Sequence, residues 1–171
     1  AKDIYIVVQD ASENTSNALK ITISAYVPGG EIAGSNLKWS LDTASGTLTI
    51  SGEGEMPGFA PMSDRPWNGD SSSIQTVVIE DGVTSIGNFA FWNCTSLTTV
   101  DLSNAETLET IGDSAFWNCT NLKTVTFPAG SQLTDIGDAA FASSGLTEIT
   151  LPASVTTIGN SAFASTKLTS I

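Results

Sequence analysis

Val83–Val100 reads VTSIGNFAFWNCTSLTTV, and the chain repeats most of this text three more times. Ile-Gly pairs stand at Ile86-Gly87, Ile111-Gly112, Ile136-Gly137 and Ile158-Gly159, at successive spacings of 25, 25 and 22. Three residues after each Gly comes Ala-Phe: Ala90-Phe91, Ala115-Phe116, Ala140-Phe141 and Ala162-Phe163. Ahead of each pair lies a short apolar run: IQTVVI from Ile74, LTTVDL from Leu97, LKTVTF from Leu122 and LTEITL from Leu146. A fragment, LTSI, begins at Leu168. Self-similarity at a fixed period of this length is the mark of a repeat architecture.

Each unit has a physical reading. The pattern L-x-x-[VI]-x-[LIF] predicts a short strand with its apolar side chains turned inward. Leu97, Val100 and Leu102 then face the core, and Thr99 and Asp101 face out. Pro128 and Pro152 follow their strands, at a point where no ladder donor is required. A second apolar pair, such as Leu108 with Ile111, returns to the core. The Gly is read as the bend. The segments NFAFWNC and DSAFWNC are read as one or two helical turns, with Ala90 and Cys94 on one face. No unit buries its own apolar face, so stacked units share a column of Phe, Leu and Ile. The expectation is a right-handed α/β solenoid with parallel strands about 4.8 Å apart. Helical turns would need about 8–10 Å, so the stack should curve with its longer strands on the concave side.

The text at Val83–Val100 resembles the BspA-like leucine-rich repeats, whose consensus runs roughly L-T-x-I-x-L-P-x-x-V-T-x-I-G-x-x-A-F-x-x-C. The likeness extends from Ile74 to Ile171. Leu37–Ile79 resembles the amino-terminal unit of many clostridial members, with KWSLD, GTLTISGEGEMP, a Pro-Trp and VVIEDGV in order. Those members usually carry a Cys near the start of the unit, where this chain has Gly34-Ser35-Asn36. The third and fourth repeats replace the family's Asn-Cys text with Ala-Ser-Ser-Gly and Ala-Ser-Thr-Lys. The resemblance implies a secreted or surface-attached bacterial protein that binds or adheres to other proteins, with no catalytic residues to carry over.

Three regions follow. Residues 1–33 hold two strand-like runs, IYIVV and LKITISAY, and read as a β hairpin or extension. Residues 34–73 read as a β-rich cap, with WSLD and TLTIS forming a hairpin about Ala44-Ser45-Gly46. Residues 74–171 hold about four repeats and a truncated fifth. The open last coil leaves Leu168 and Ile171 uncovered, which points to end-to-end self-association there.

Composition narrows the function. Lys and Arg number 6 against 18 Asp and Glu, a formal net charge of −12. Nucleic-acid binding needs a basic footprint, and this chain has none. Charged partners should instead present basic patches. No apolar run of about 18 residues offers a transmembrane helix, so direct membrane insertion is not expected. Ala1-Lys2-Asp3 is not a signal peptide, and the extracellular or cell-surface location implied by the resemblance would rely on a signal and anchor lying outside this chain. With no His in the chain, the commonest general base and metal ligand is missing. No catalytic, cofactor-binding or metal residue is assigned.

Candidate binding residues fall in two groups. Outward strand positions form two columns: Thr76, Thr99, Thr124, Glu148, Ser170, and Val78, Asp101, Thr126, Thr150. They are either a ligand face for a protein or a solvated surface. Trp92 and Trp117 occupy one position in successive units. They are either an aromatic platform for a sugar ring or protein anchor, or a half-buried framework pair. Cys94 and Cys119 lie one coil apart and are read as free buried thiols. Glu53 and Glu55 in GEGEM stand on one side of an extended stretch, and no chemistry is assigned to them. Three readings of function remain: a surface-displayed protein-binding or adhesion module, a polysaccharide-binding accessory module, and a structural spacer.

Overall fold

The computed structural model describes residues 2–6, 19–23, 28–60 and 65–170. Strands β1 (Lys2–Ile6) and β2 (Leu19–Ile23) pair antiparallel as a two-stranded sheet. The rest of the strands are β3 (Gly29–Glu31), β4 (Leu37–Asp42), β5 (Thr47–Gly52), β6 (Gly54–Glu55), β7 (Thr76–Ile79), β8 (Val83–Ile86), β9 (Thr99–Asp101), β10 (Thr110–Ile111), β11 (Thr124–Thr126), β12 (Asp135–Ile136) and β13 (Thr157–Ile158). They form a six-stranded sheet in the order β11-β9-β7-β5-β4-β3 and a five-stranded sheet in the order β13-β12-β10-β8-β6. Coil-to-coil pairing in both is parallel.

The stack begins inside the segment read as a cap. β4 and β5 make the expected hairpin, with Asp42 opposite Thr47. Yet β5 also pairs parallel with β7, and β6 with β8. These two strands therefore supply a rung of each sheet below the first Ile-Gly unit. β3 lies antiparallel to β4, and Ile32 just beyond it is buried in the core.

The third side of each coil corrects the α/β expectation. Among the described residues the only helical element is a three-residue 3-10 turn, Asn68–Asp70. The NFAFWNC segment is a run of tight turns: Ala90 N–H bonds Gly87 O, Trp92 N–H bonds Phe89 O and Cys94 N–H bonds Phe91 O. The alternate amides point along the stack, so Phe89, Phe91 and Asn93 N–H bond Asp113, Ala115 and Trp117 O of the next coil. A helix would have spent all these amides within itself. Each coil instead satisfies its backbone through its neighbour, as a β ladder does. The conformation needs left-handed residues, and Phe89, Asn93, Ser114, Asn118, Ala139, Ser143, Ser161 and Ser165 all have φ between 52° and 59°.

Close stacking follows. Phe91, Phe116 and Phe141 are fully buried, and the rings of Phe91–Phe116 and Phe116–Phe141 lie 5.1 Å apart, close to parallel. Phe163 continues the column at 5.4 Å. The expected wider spacing on this side, and the reason for curvature built on it, therefore do not apply. The Gly of each Ile-Gly pair serves closeness rather than a bend. A methyl group on Gly112 would lie 2.8 Å from Asn88 N and 2.9 Å from Ile86 O of the preceding coil.

The first coil has carbonyls with no preceding coil to satisfy them. Phe59 N–H bonds Asn88 O at 2.9 Å, the Trp67 indole N–H bonds Ala90 O at 3.0 Å, and Arg65 Nη1 bonds Trp92 O at 2.7 Å. Trp67 also stacks on Phe91 at 5.5 Å, taking the place of a phenylalanine below the first one. One segment thus closes both the hydrogen-bond ladder and the ring column.

Candidate ligand-binding face

The outward columns are real rows in the first three coils. Thr76 pairs with Thr99 and Thr99 with Thr124; Val78 pairs with Asp101 and Asp101 with Thr126. The rows begin one rung earlier than the repeats, because Thr47 pairs with Thr76 and Thr49 with Val78. Asp101 is tied down: its Oδ1 accepts the Ser103 N–H at 3.0 Å and the Thr126 hydroxyl at 2.9 Å. Those bonds, the Ser103 amide foremost, hold its carboxyl below the usual range.

The rows do not continue into the fourth coil. β11 is the edge of the six-stranded sheet, and Glu148 and Thr150 are exposed but lie in no strand. Thr124 N–H bonds Thr98 O, and Leu102 N–H bonds Thr126 O. Thr124 and Thr126 therefore face β9, and Val125 turns its N–H and C=O the other way. Among the described residues no backbone hydrogen bond joins 123–127 to 146–151. The fourth coil is nevertheless fastened elsewhere. Thr157 N–H bonds Thr134 O and Gly159 N–H bonds Ile136 O in the second sheet; Phe141 and Ser143 N–H bond Ala162 and Ala164 O along the turns.

Coil length accounts for the separation. The fourth unit follows 22 residues after the third, where earlier ones follow at 25. Against the second and third units it saves two residues between Leu151 and Ile158, a spacing that Ile79–Ile86 of the fully paired first unit shares, and the saving peculiar to it is the one residue between Phe141 and Leu146. At the tighter corner Gly145 lies against the Thr120 carbonyl, where a side chain has no room. A shorter coil that lies flush on two sides stands off on the third. The result is a groove of about 680 Å³ walled by Thr124–Phe127 on one side and Glu148–Leu151 on the other, with Pro128 and Pro152 at one end. Val125, Phe127 and Leu151 are half-buried along it, while Val77, Val100, Ile79 and Leu102 at the matching positions of earlier coils are fully buried.

Thr124, Thr126, Glu148 and Thr150 are thus brought together at one groove, and Thr99 and Asp101 lie one strand away. Trp92 and Trp117 are elsewhere, on the turn side. Their rings stack at 5.4 Å with a 7° interplanar angle, both half-buried, beside an Asn118–Asn93 side-chain hydrogen bond of 2.6 Å. Cys94 and Cys119 are buried free thiols, and Cys119 Sγ donates to Phe91 O at 3.2 Å. Burial pushes Cys94 up to about 11 and Cys119 well above the usual thiol range. Glu53 and Glu55 are exposed on either side of Gly54.

The groove is what sequence reasoning missed. Its signal was present in the drop from 25 to 22, and the apolar residues of the fourth strand text concealed it. The capping roles of Arg65 and Trp67 were missed too, since donors to another coil's carbonyls leave no local pattern.

A profile described as the BspA type leucine rich repeat region matches residues 69–171, in six copies. Nothing among curated proteins matches the chain. A leucine-rich repeat protein from Eubacterium ventriosum is 29% identical with a TM-score of 0.73, over 84% of this chain and 37% of that one. The T. pallidum leucine rich repeat protein is 25% identical with a TM-score of 0.58, over 81% and 69%. One from Bacteroides ovatus shares the fold at 24% identity and a TM-score of 0.54, over 81% and 40%. The chain thus spans well under half the length of the E. ventriosum and B. ovatus structures.

Proposed function

This chain belongs to the BspA-type leucine-rich-repeat family, and from that premise we propose that it is an extracellular or cell-surface binding module that takes a protein ligand on its six-stranded face. The observation that carries the reading is the groove of about 680 Å³, where four of the outward candidates, Thr124, Thr126, Glu148 and Thr150, converge. That volume lies within the about 300–1,000 Å³ of clefts that hold ligands. Half-buried Val125, Phe127 and Leu151 give it an apolar floor, and threonines, Lys123 and Glu148 give it a polar rim. This is the layout of a protein-recognition patch. A net charge of −12 favours partners with basic surfaces.

The test is saturable binding to an array of extracellular and cell-surface proteins, repeated with Thr124→Arg/Glu148→Arg. Both side chains are exposed, so the double variant should keep its fold by circular dichroism and lose binding. Undiminished binding would remove the face from consideration.

The stacked Trp92–Trp117 pair supports a second reading, a polysaccharide-binding accessory role. Paired half-exposed indoles offer a flat apolar surface to a sugar ring. Retardation in affinity gels containing glycans, lost in Trp92→Ala/Trp117→Ala, is the expected result; retardation that survives the double substitution rejects the platform.

A further inference from the structure

We propose that the groove between β11 and Glu148–Leu151 receives one extended peptide strand of a protein partner, inserted between the third and fourth coils and held by main-chain hydrogen bonds. This rests on the protein-binding reading of the six-stranded face and specifies its ligand. Both walls are strand text with no strand partner on the groove side: β11 pairs with β9 on its other edge only, and 147–151 lies in no strand. The β11 wall offers the N–H and C=O of Val125, directed away from β9. The opposite wall, 147–151, makes no backbone bond to β11 among the described residues. An exposed sheet edge is a template for an added strand, and such pairing supplies affinity while alternate side-chain sites supply specificity.

Those side-chain sites are set by the repeat's own period. Val125 with Ile149, and Phe127 with Leu151, are the core-facing pairs of the two walls, so inward residues of the guest should be apolar. Outward residues of the guest come up beside Thr124, Thr126, Glu148 and Thr150. Lys123 and Glu148 both line the groove and offset each other, so Asp101 one strand away and the net charge of −12 tip the balance, and these should be neutral or basic. The free part of β11 is three residues long, about 10 Å at strand rise. The guest is therefore a short segment of alternating apolar and polar-to-basic residues. The second sheet and the turn ladder keep the fourth coil attached while the groove is occupied.

The probe is the peptide Lys-Leu-Thr-Thr-Val-Thr-Leu-Lys, patterned on Leu97–Leu102, the segment whose β9 already pairs with β11 on its other edge. Its control is the same peptide N-methylated at alternate residues. Amide exchange is followed on the full chain by NMR. In the free protein the Val125 and Phe127 amides should exchange at least ten times faster than those of Thr124 and Thr126. Saturating peptide should slow them at least tenfold, and the methylated peptide should not. Slow exchange at Val125 without peptide would mean that the fourth coil closes the groove itself, and would overturn the proposal. So would equal binding of both peptides, or no binding at millimolar concentration. Loss of array binding in Thr124→Arg/Glu148→Arg together with a failed peptide test would retain the face and reject strand insertion; unchanged array binding would reject the face itself.

Discussion

Among the described residues eight non-glycine positions hold φ between 52° and 59°, two in each coil and four apart. An L-residue there costs about 1–2 kcal/mol, least for Asn. Asn93 and Asn118 meet that cost most easily, while Phe89 and Ala139 do not. Ala139 is only partly buried and its side chain fills no core position. Ala139→Gly should therefore stabilise the chain by about 1 kcal/mol, raising Tm by about 2–4 °C for a domain of this size. A lower Tm would show that residue 139 is not left-handed in solution. The opposite holds at Gly112, where an added methyl meets Asn88 N at 2.8 Å. Gly112→Ala should cost on the order of 1–3 kcal/mol, because two stacked backbones rather than a flexible side chain have to yield. Thermal melts of the two variants should move in opposite directions.

The turn segment was the element that sequence reading misplaced, and its physics shows why. Strand text was legible because period-two alternation fixes which side faces the core, and Val100 and Leu102 are buried as that alternation requires. In NFAFWNC, Ala90 and Cys94 are both buried and four apart, which a helix face and a run of tight turns satisfy equally. What decides between them is the destination of the alternate amides, and those partners are about 25 residues away. The ladder candidates through Thr126 were legible for the same reason as the strands; Glu148 and Thr150 depend on coil length, which side-chain pattern does not report. The turns also seal the thiols. Burial raises Cys94 to about 11 from an ordinary 9.0, and Cys119 shifts in the same direction. Thiolate is the reacting form, so iodoacetamide at pH 8 should label neither residue in the folded chain and both after unfolding; immediate labelling of the native protein would contradict the turn ladder. A raised folded-state value means the stability the thiols contribute is complete below pH 9 and declines as pH climbs through about 11. Denaturant midpoints measured across pH 8 to 11 should fall, and Cys94→Ala/Cys119→Ala should flatten part of that fall.

The whole stack is directional. Along the turn side the alternate amides, Phe89, Phe91 and Asn93 and their equivalents in the next two coils, all bond carbonyls of the following coil, so the two ends of this row are chemically different. The lower end presents carbonyls, and Phe59, Trp67 and Arg65 satisfy them. The upper end presents the amides of Ser161, Phe163 and Ser165, which have no backbone acceptor among the described residues. It also leaves Ile158 49% exposed and Phe163 and Leu168 half-buried. Two copies meeting at these upper ends would bring donors against donors, and the lower end has no carbonyl of this row left to offer. Self-association through the fourth coil therefore rests on apolar contact alone, and Ile158→Glu should abolish any concentration-dependent rise in mass seen by sedimentation. What this end matches fully is another coil of the same text. Fusing a copy of Thr150–Ile171 after Ile171, in phase because Leu168–Ile171 repeats Leu146–Ile149, should supply carbonyls to the three amides and cover Ile158 and Phe163. In a repeat stack each new interface adds its own increment of stability, so the fusion should raise Tm and slow amide exchange at Phe163. A fusion that melts at the same temperature, with Phe163 still exchanging freely, would show that the fourth coil does not present a pairing edge.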